Sequence, residues 1–240
     1  MRGRQGKNIF LWKRREPQRI HRYALNIKGI PYKTEWVEYP DIEALAKRIG
    51  ASPTKRDGTL LYTIPIISDP NTGKVVSDSF RIAEYLDATY PEGRTLFPRG
   101  TKPLIAAFDS ALTTALGAIL PVQYASTCAI LNPSSEAYFR RTREARFGRK
   151  VEELSPVGPK RDDDLAKGRE ALAAVDEWLE KSDGKFVLGD TISYADGLLA
   201  GRLVWIKVTD GIWEEVATWH NGRWATYLEN LENAGYASIH

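Results

Sequence analysis

Residues 9–12 (Ile9, Phe10, Leu11, Trp12) form an unbroken apolar run without alternation, which predicts a first strand buried on both faces. Ile20, Ala24 and Ile27 then recur at helical spacing, predicting a helix over 19–28 that ends at Gly29. Residues 33–39 read as a second strand. Asp41 is placed to cap a short helix over 42–49, stopped by Gly50. In the stretch 62–90, a β-branched strand (Thr63, Ile64, Ile66, Ile67) leads into Asp69-Pro70-Asn71-Thr72-Gly73, which is dense turn chemistry. A short strand over 74–76 follows, and then a helix from Ser79 with Ile82, Ala83, Leu86 and Tyr90 on its core face.

The resulting order, β-α-β-α-β-β-α, is the thioredoxin-like plan of a small mixed sheet with helices on both sides. Residues 91–103 are rich in Pro, Gly, Arg and Lys and read as a connection between domains. The expected division is therefore an α/β domain over 1–92, a linker over 93–103 and an all-α domain over 104–240. In the latter, a helix over 104–120 carries Leu104, Phe108, Leu112, Ala115 and Ile119 on one face, and Pro121 interrupts it. Another helix starts at Asn132-Pro133-Ser134-Ser135. Its arginines (Arg140, Arg141, Arg143, Arg146, Arg149) are interleaved with Glu136 and Glu144, the pattern of a solvated face. An amphipathic helix over 162–181 points Leu172, Val175, Trp178 and Leu179 inward. Ser193 and Asp196 have the spacing of a capping box, a structural role.

Composition narrows the function classes. The 240 residues suffice for one large or two small domains, and a net charge of +3 gives no electrostatic argument for nucleic acid. Cys128 is the single cysteine, in an apolar helical context that predicts a buried thiol, and the three histidines show no ligand spacing; no metal is expected. A reducing, cytoplasmic setting is the expectation, with no secretory signal. The apolar run over 104–120 is broken by Asp109, Ser110, Thr113 and Thr114, and is expected to be a buried helix and not a membrane span.

The start of the helix at Asp78-Ser79 reads two ways. It is a helix cap after a hairpin. It is also an anion site, whose free amides would hold a ligand carboxylate while Asp78 pairs with a ligand ammonium, the two charges of an α-amino-acid group. Pro65 cannot donate to a sheet ladder, so it belongs at an edge or in a cis turn, leaving the Ile64 backbone available to an extended peptide.

These residues, Ile64-Pro65, Ser77-Asp78-Ser79 and Ile82-Ala83-Glu84-Tyr85-Leu86, resemble the glutathione-binding half of the glutathione transferases. The stretches RYALNIKGIPYKTEWVEYPDIE and VSDSFRIAEYLDATYP resemble the fungal class related to bacterial β-etherases. The resemblance implies glutathione as co-substrate, held by Ile64, Pro65, Asp78 and Ser79. It also implies a hydrophobic aromatic partner molecule, a homodimer, and a stretch over 189–196 that serves as the second domain's folding motif.

The chain departs from that family where the catalytic residue is kept. Relatives carry Ser, Tyr or Cys beside the end of the first strand; here the loop is Lys13-Arg14-Arg15-Glu16-Pro17-Gln18, and no hydroxyl or thiol precedes Tyr23. Matching Pro17 to the family's Ser-Pro puts Glu16, or with a slip of one Arg15, at the catalytic place. A carboxylate there opposes thiol ionisation and a guanidinium favours it. The arginines also fit a solvated loop, or the segment is a diverged or misjoined piece of coding sequence. Two functions are therefore carried forward. One is conjugation of glutathione to aromatic electrophiles, or aryl ether cleavage; the other is a non-catalytic, ligandin-like carrier of aromatic compounds. A third, a basic interaction module built on the arginine helix, predicts salt-dependent binding to polyanions.

Overall fold

A computed structural model describes residues 8–13, 20–56, 58–209 and 211–236. Strand β1 (Ile9–Lys13) lies between β2 (Tyr32–Trp36), which it pairs in parallel, and β5 (Ile66–Asp69), which it pairs antiparallel. Antiparallel β6 (Lys74–Ser77) completes the order β2-β1-β5-β6. Ile9, Leu11, Ile66 and Ile67 are fully buried, as an unbroken apolar run in a central strand requires. Helices α1 (Ile20–Lys28) and α3 (Ser79–Thr89) pack against each other. They contribute Ala24, Ile27, Ile82, Ala83 and Leu86 to the core, while Tyr90, beyond the last turn, is only half-buried.

Local departures from the sequence reading have visible causes. Strand β2 stops at Trp36, and residues Tyr39–Asp41 form a 3-10 turn with Pro40 in its first positions. Asp41 is therefore already helical (φ −91°, ψ −9°), and its side chain does not cap α2 (Ile42–Arg48). Strand β5 starts after Pro65 instead of running through it, because proline has no amide for the ladder. A small hairpin, β3 (Thr54–Arg56) with β4 (Thr59–Leu61), was not foreseen; its residues lack an apolar period.

After α3 the chain is helical: α4 (Lys102–Ala115), α5 (Leu120–Ala129), α6 (Pro133–Phe147), α7 (Pro159–Glu180), α8 (Tyr194–Val208), α9 (Trp213–Val216) and α10 (Trp219–Asn233). The architecture is a thioredoxin-like mixed sheet followed by an all-helical domain, and α1 also packs on α8. Asp87 fixes the connection: its carboxylate accepts from the Leu96 and Phe97 amides (each 2.9 Å) and from Lys28 Nζ (3.1 Å).

The first helix of this part is less buried than its composition suggests. Ile105 and Leu112 face inward, whereas Leu104 is 67% exposed, a correction to the face read from sequence. At about 100° per residue Ile105, Leu112, Leu116 and Ile119 share one face, and Leu104 falls well to its side. Pro121 lies in the first turn of α5, where an amide has no helical partner to lose. By length and composition Lys102–Ala129 is apolar enough to cross a membrane, and only 28% of its most apolar window is buried, where the sequence predicted a buried helix over 104–120. In this fold α4 packs on α7 and α8.

Candidate functional site

The site is organised by the hairpin and the helix that follows it. Asp69, which the turn chemistry marked only as a turn residue, is fully buried. One of its oxygens accepts from the Tyr85 and Tyr90 hydroxyls (2.5 and 2.6 Å), the other from the Asn71 amide (2.9 Å). Burial opposes its ionisation, but the two tyrosine bonds and Asn71 outweigh it and hold the carboxyl below the usual range. The Tyr90 phenol is correspondingly pushed up to about 12, by burial first and then by its bond to Asp69. The hairpin is thus tied to the far end of α3, which fixes where that helix starts.

Ile66 pairs with Ser77, so the residues just beyond them, Pro65 and Asp78, emerge at the same end of the hairpin. The Ile64–Pro65 peptide bond is cis. Among the described residues the Ile64 amide and carbonyl make no backbone hydrogen bond. Asp78 occupies φ 80°, a region few non-glycine residues adopt. Its Oδ1 caps α3 by accepting from the Phe80 and Arg81 amides (3.0 and 3.1 Å). Its Oδ2 has no hydrogen-bond partner among the described residues. Asp78 and Ser79 line a cavity of about 370 Å³ between the two parts of the fold; Ile64 and Pro65 stand at the adjoining corner, outside its lining.

The other walls are helical, drawn from the stretch between α4 and α6 and from α8. Ser193 and Asp196 form a capping box at the start of α8. Asp196 is fully buried and accepts from the Ser193 and Val187 amides (each 2.8 Å) and from the Tyr227 hydroxyl (2.6 Å). This sets Tyr194 beneath the start of α3, its ring against Phe80 (5.6 Å) and Phe97 (5.4 Å). Burial lifts its phenol far above the ordinary value, with the neighbouring Ser79 hydroxyl acting against it. Further along α8, Arg202 and Trp205 reach the cavity; Trp205 Nε1 donates to Thr127 Oγ1 (3.0 Å) and Arg202 to Thr113 Oγ1 (3.1 Å). Asp109 is raised by burial, an effect that Arg202 opposes and Asp78 reinforces. Gln123, Tyr124, Phe139 and Arg143 close the far end. Sequence reasoning missed Gln123, Arg143 and Arg202 as lining residues, because no local pattern brings them together.

Arg15 and Glu16, the loop candidates, lie outside the described residues. Tyr23, the first hydroxyl in the sequence, is buried in α1 and does not line the cavity. Cys128 is buried away from the cavity, its Sγ 3.4 Å from Glu136 Oε1, and burial followed by that contact pushes its thiol up to about 12. It is no nucleophile at neutral pH. On the arginine helix, Arg140 pairs with Glu136 (2.7 Å), Glu144 (3.5 Å) and Glu152 (2.6 Å) in a surface network.

Comparison with known proteins agrees with this geometry. Residues 19–89 match the sequence model of the glutathione S-transferase N-terminal domain, and residues 103–234 that of the C-terminal domain. The glutathione S-transferase-like protein ustS of Aspergillus flavus is 32% identical, covering 89% of this chain and 83% of that protein. A glutathione S-transferase of Ceriporiopsis subvermispora, solved in complex with glutathione, is 40% identical at a TM-score of 0.91, covering 98% of this chain and 99% of its own. A glutathione transferase of Phanerochaete chrysosporium is 36% identical at a TM-score of 0.88, covering 98% and 100%. With both halves of the chain matched and the hairpin, helix start and capping box in place, this chain belongs to the glutathione S-transferase family.

Proposed function

We propose that this chain binds glutathione at the start of α3 and acts as a glutathione transferase on hydrophobic aromatic electrophiles. The observation that carries the reading is the division of labour within Asp78. Its Oδ1 is used up in capping the helix, whereas Oδ2 is left for a ligand ammonium in the cavity lining. Beside it the first turn of α3 offers the partial positive charge that suits the α-carboxylate of a γ-glutamyl group. The uncommitted Ile64 backbone suits the extended peptide that follows. Glutathione would supply a thiolate nucleophile. The apolar and aromatic residues deeper in the cavity would hold the electrophile and exclude water, in conjugation or, as the β-etherase-like stretches suggest, aryl ether cleavage. A homodimer covering the exposed face of α4 around Leu104, and a cytoplasmic location, belong to the same proposal.

A second reading, a ligand carrier without catalysis, is favoured by the burial of Tyr23 and by the lack of any earlier hydroxyl or thiol in the sequence. Calorimetric titration with glutathione, followed by the ultraviolet thiolate band against pH on the same sample, separates the two. Binding with a thiol pKa well below the free value of about 8.5 supports the transferase. Binding without that shift supports the carrier, and no binding overturns the assignment of glutathione to the Asp78-Ser79 site.

A further inference from the structure

The cavity continues beyond the glutathione residues, and its far end is not simply apolar. Tyr124, Phe139 and Trp205 present three aromatic rings there, with Tyr124 6.0 Å from Phe139 and 6.5 Å from Trp205 between centroids. Between them stand donors. Gln123 is 2% exposed, and its amide nitrogen lines the cavity with no hydrogen-bond partner among the described residues. A buried amide left in that state destabilises the fold unless a ligand acceptor meets it. Arg143 lies over the Phe139 ring at 4.4 Å and at 6.0 Å from the Tyr124 centroid, so its guanidinium stands against the aromatic wall. Among the described residues the lining includes the cations Arg143 and Arg202 and the carboxylate of Asp78. Arg202 sits at the Thr113 and Asp109 end, on the side of Ser79. Arg143 is therefore the cation that faces whatever occupies the aromatic end.

We infer that the second ligand of this cavity is an aromatic oxyanion, an aryl carboxylate or ionised phenol. Its ring packs among Tyr124, Phe139 and Trp205, and its charged oxygen is held by Gln123 and Arg143. This deepens the proposed function and rests on it for the role of that ligand as electrophile or cargo. The binding itself is independent of glutathione. A neutral aromatic compound of the same shape satisfies neither the Gln123 amide nor the guanidinium as well, since hydrogen bonds to charged groups are the stronger class. Arg143 also closes the space: an uncharged side chain there would leave the Phe139 face open, so the arginine both shapes the wall and selects the charge.

The test is calorimetric titration of the full chain with 2-naphthoate and with 2-naphthamide, its neutral counterpart, each with and without saturating glutathione. The acid is expected to bind about tenfold or more tightly than the amide, the size of one charge-assisted contact, and to do so with glutathione present. Arg143→Gln is expected to abolish the preference with glutathione affinity unchanged, Arg143→Lys to keep part of it, and Gln123→Leu to weaken the acid selectively. Equal binding of acid and amide overturns the inference. So does a preference that survives in Arg143→Gln, or displacement of the acid by glutathione, which would place it on the γ-glutamyl residues. If glutathione fails to bind while naphthoate keeps its Arg143-dependent preference, the proposed function falls and the oxyanion site stands.

Discussion

The Tyr227 hydroxyl on α10 donates to the Asp196 carboxylate on α8 at 2.6 Å, and both residues are buried. The bond turns a local cap into a tertiary tie, because the same carboxylate holds the Ser193 and Val187 amides. Asp196→Ala strands at least three buried donors, each costing about 1–3 kcal/mol when unpaired, and removes the buried charge that they surround. The expected loss is about 3–5 kcal/mol by urea unfolding, the range for breaking a buried charged cluster, against about 1–2 kcal/mol for Tyr227→Phe. Equal small losses for both would show that the carboxylate is not the centre of the network.

Asp78→Asn separates capping from ligand recognition. Asparagine is as good an N-cap as aspartate and tolerates positive φ, so the thermal midpoint should hardly move. The charge opposite the ligand ammonium is lost, and glutathione affinity should fall about tenfold, the effect of one charge-assisted bond. An unchanged affinity measured by calorimetry would assign Asp78 to the cap alone.

Asp87 makes stability depend on acid. Burial works against its ionised form, but the Leu96 amide, the Thr95 hydroxyl, the Phe97 amide and the Lys28 ammonium together hold its carboxyl below the ordinary value. A carboxyl depressed in the folded state contributes stability that is complete above its unfolded pKa of about 3.9 and is lost as pH falls through the folded one. In Asp87→Asn the unfolding free energy should be lower at pH 7 and fall less steeply below about pH 4. Parallel curves for the two proteins would remove Asp87 from the acid response.

Glu38 joins the sheet side to the helices. Its carboxylate accepts from Asn132 Nδ2 at 2.5 Å and from the Ser135 hydroxyl, which in turn accepts from the Tyr39 amide at 2.9 Å. A carboxylate at the start of α6 also interacts favourably with the positive end of the helix dipole. Glu38→Ala should lower stability by about 1–3 kcal/mol, as for a hydrogen bond to a charged group. It should speed hydrogen exchange in the first turn of α6. Exchange that rises evenly over the whole chain would argue against a local clamp.

Sequence alone determined what is short-range. The apolar run of β1, the turn at Asp69–Gly73, the cap at Asp78 and the box at Ser193–Asp196 rest on neighbours a few residues apart, where backbone sterics and amide pairing act directly. Two local expectations failed where another local force won. The 3-10 turn at Tyr39–Asp41 made Asp41 helical before α2 begins, and the ordinary helical period put Ile105, not Leu104, on the buried face. Tertiary structure decided the rest. Glu38 meets Ser135 across 97 residues and Trp205 meets Thr127 across 78. Gln123, Arg143 and Arg202 share one cavity from three helices with no spacing in common. Such pairs are chosen by how layers dock, through burial and charge summed over the assembled core, and a periodic reading of the chain carries none of that information.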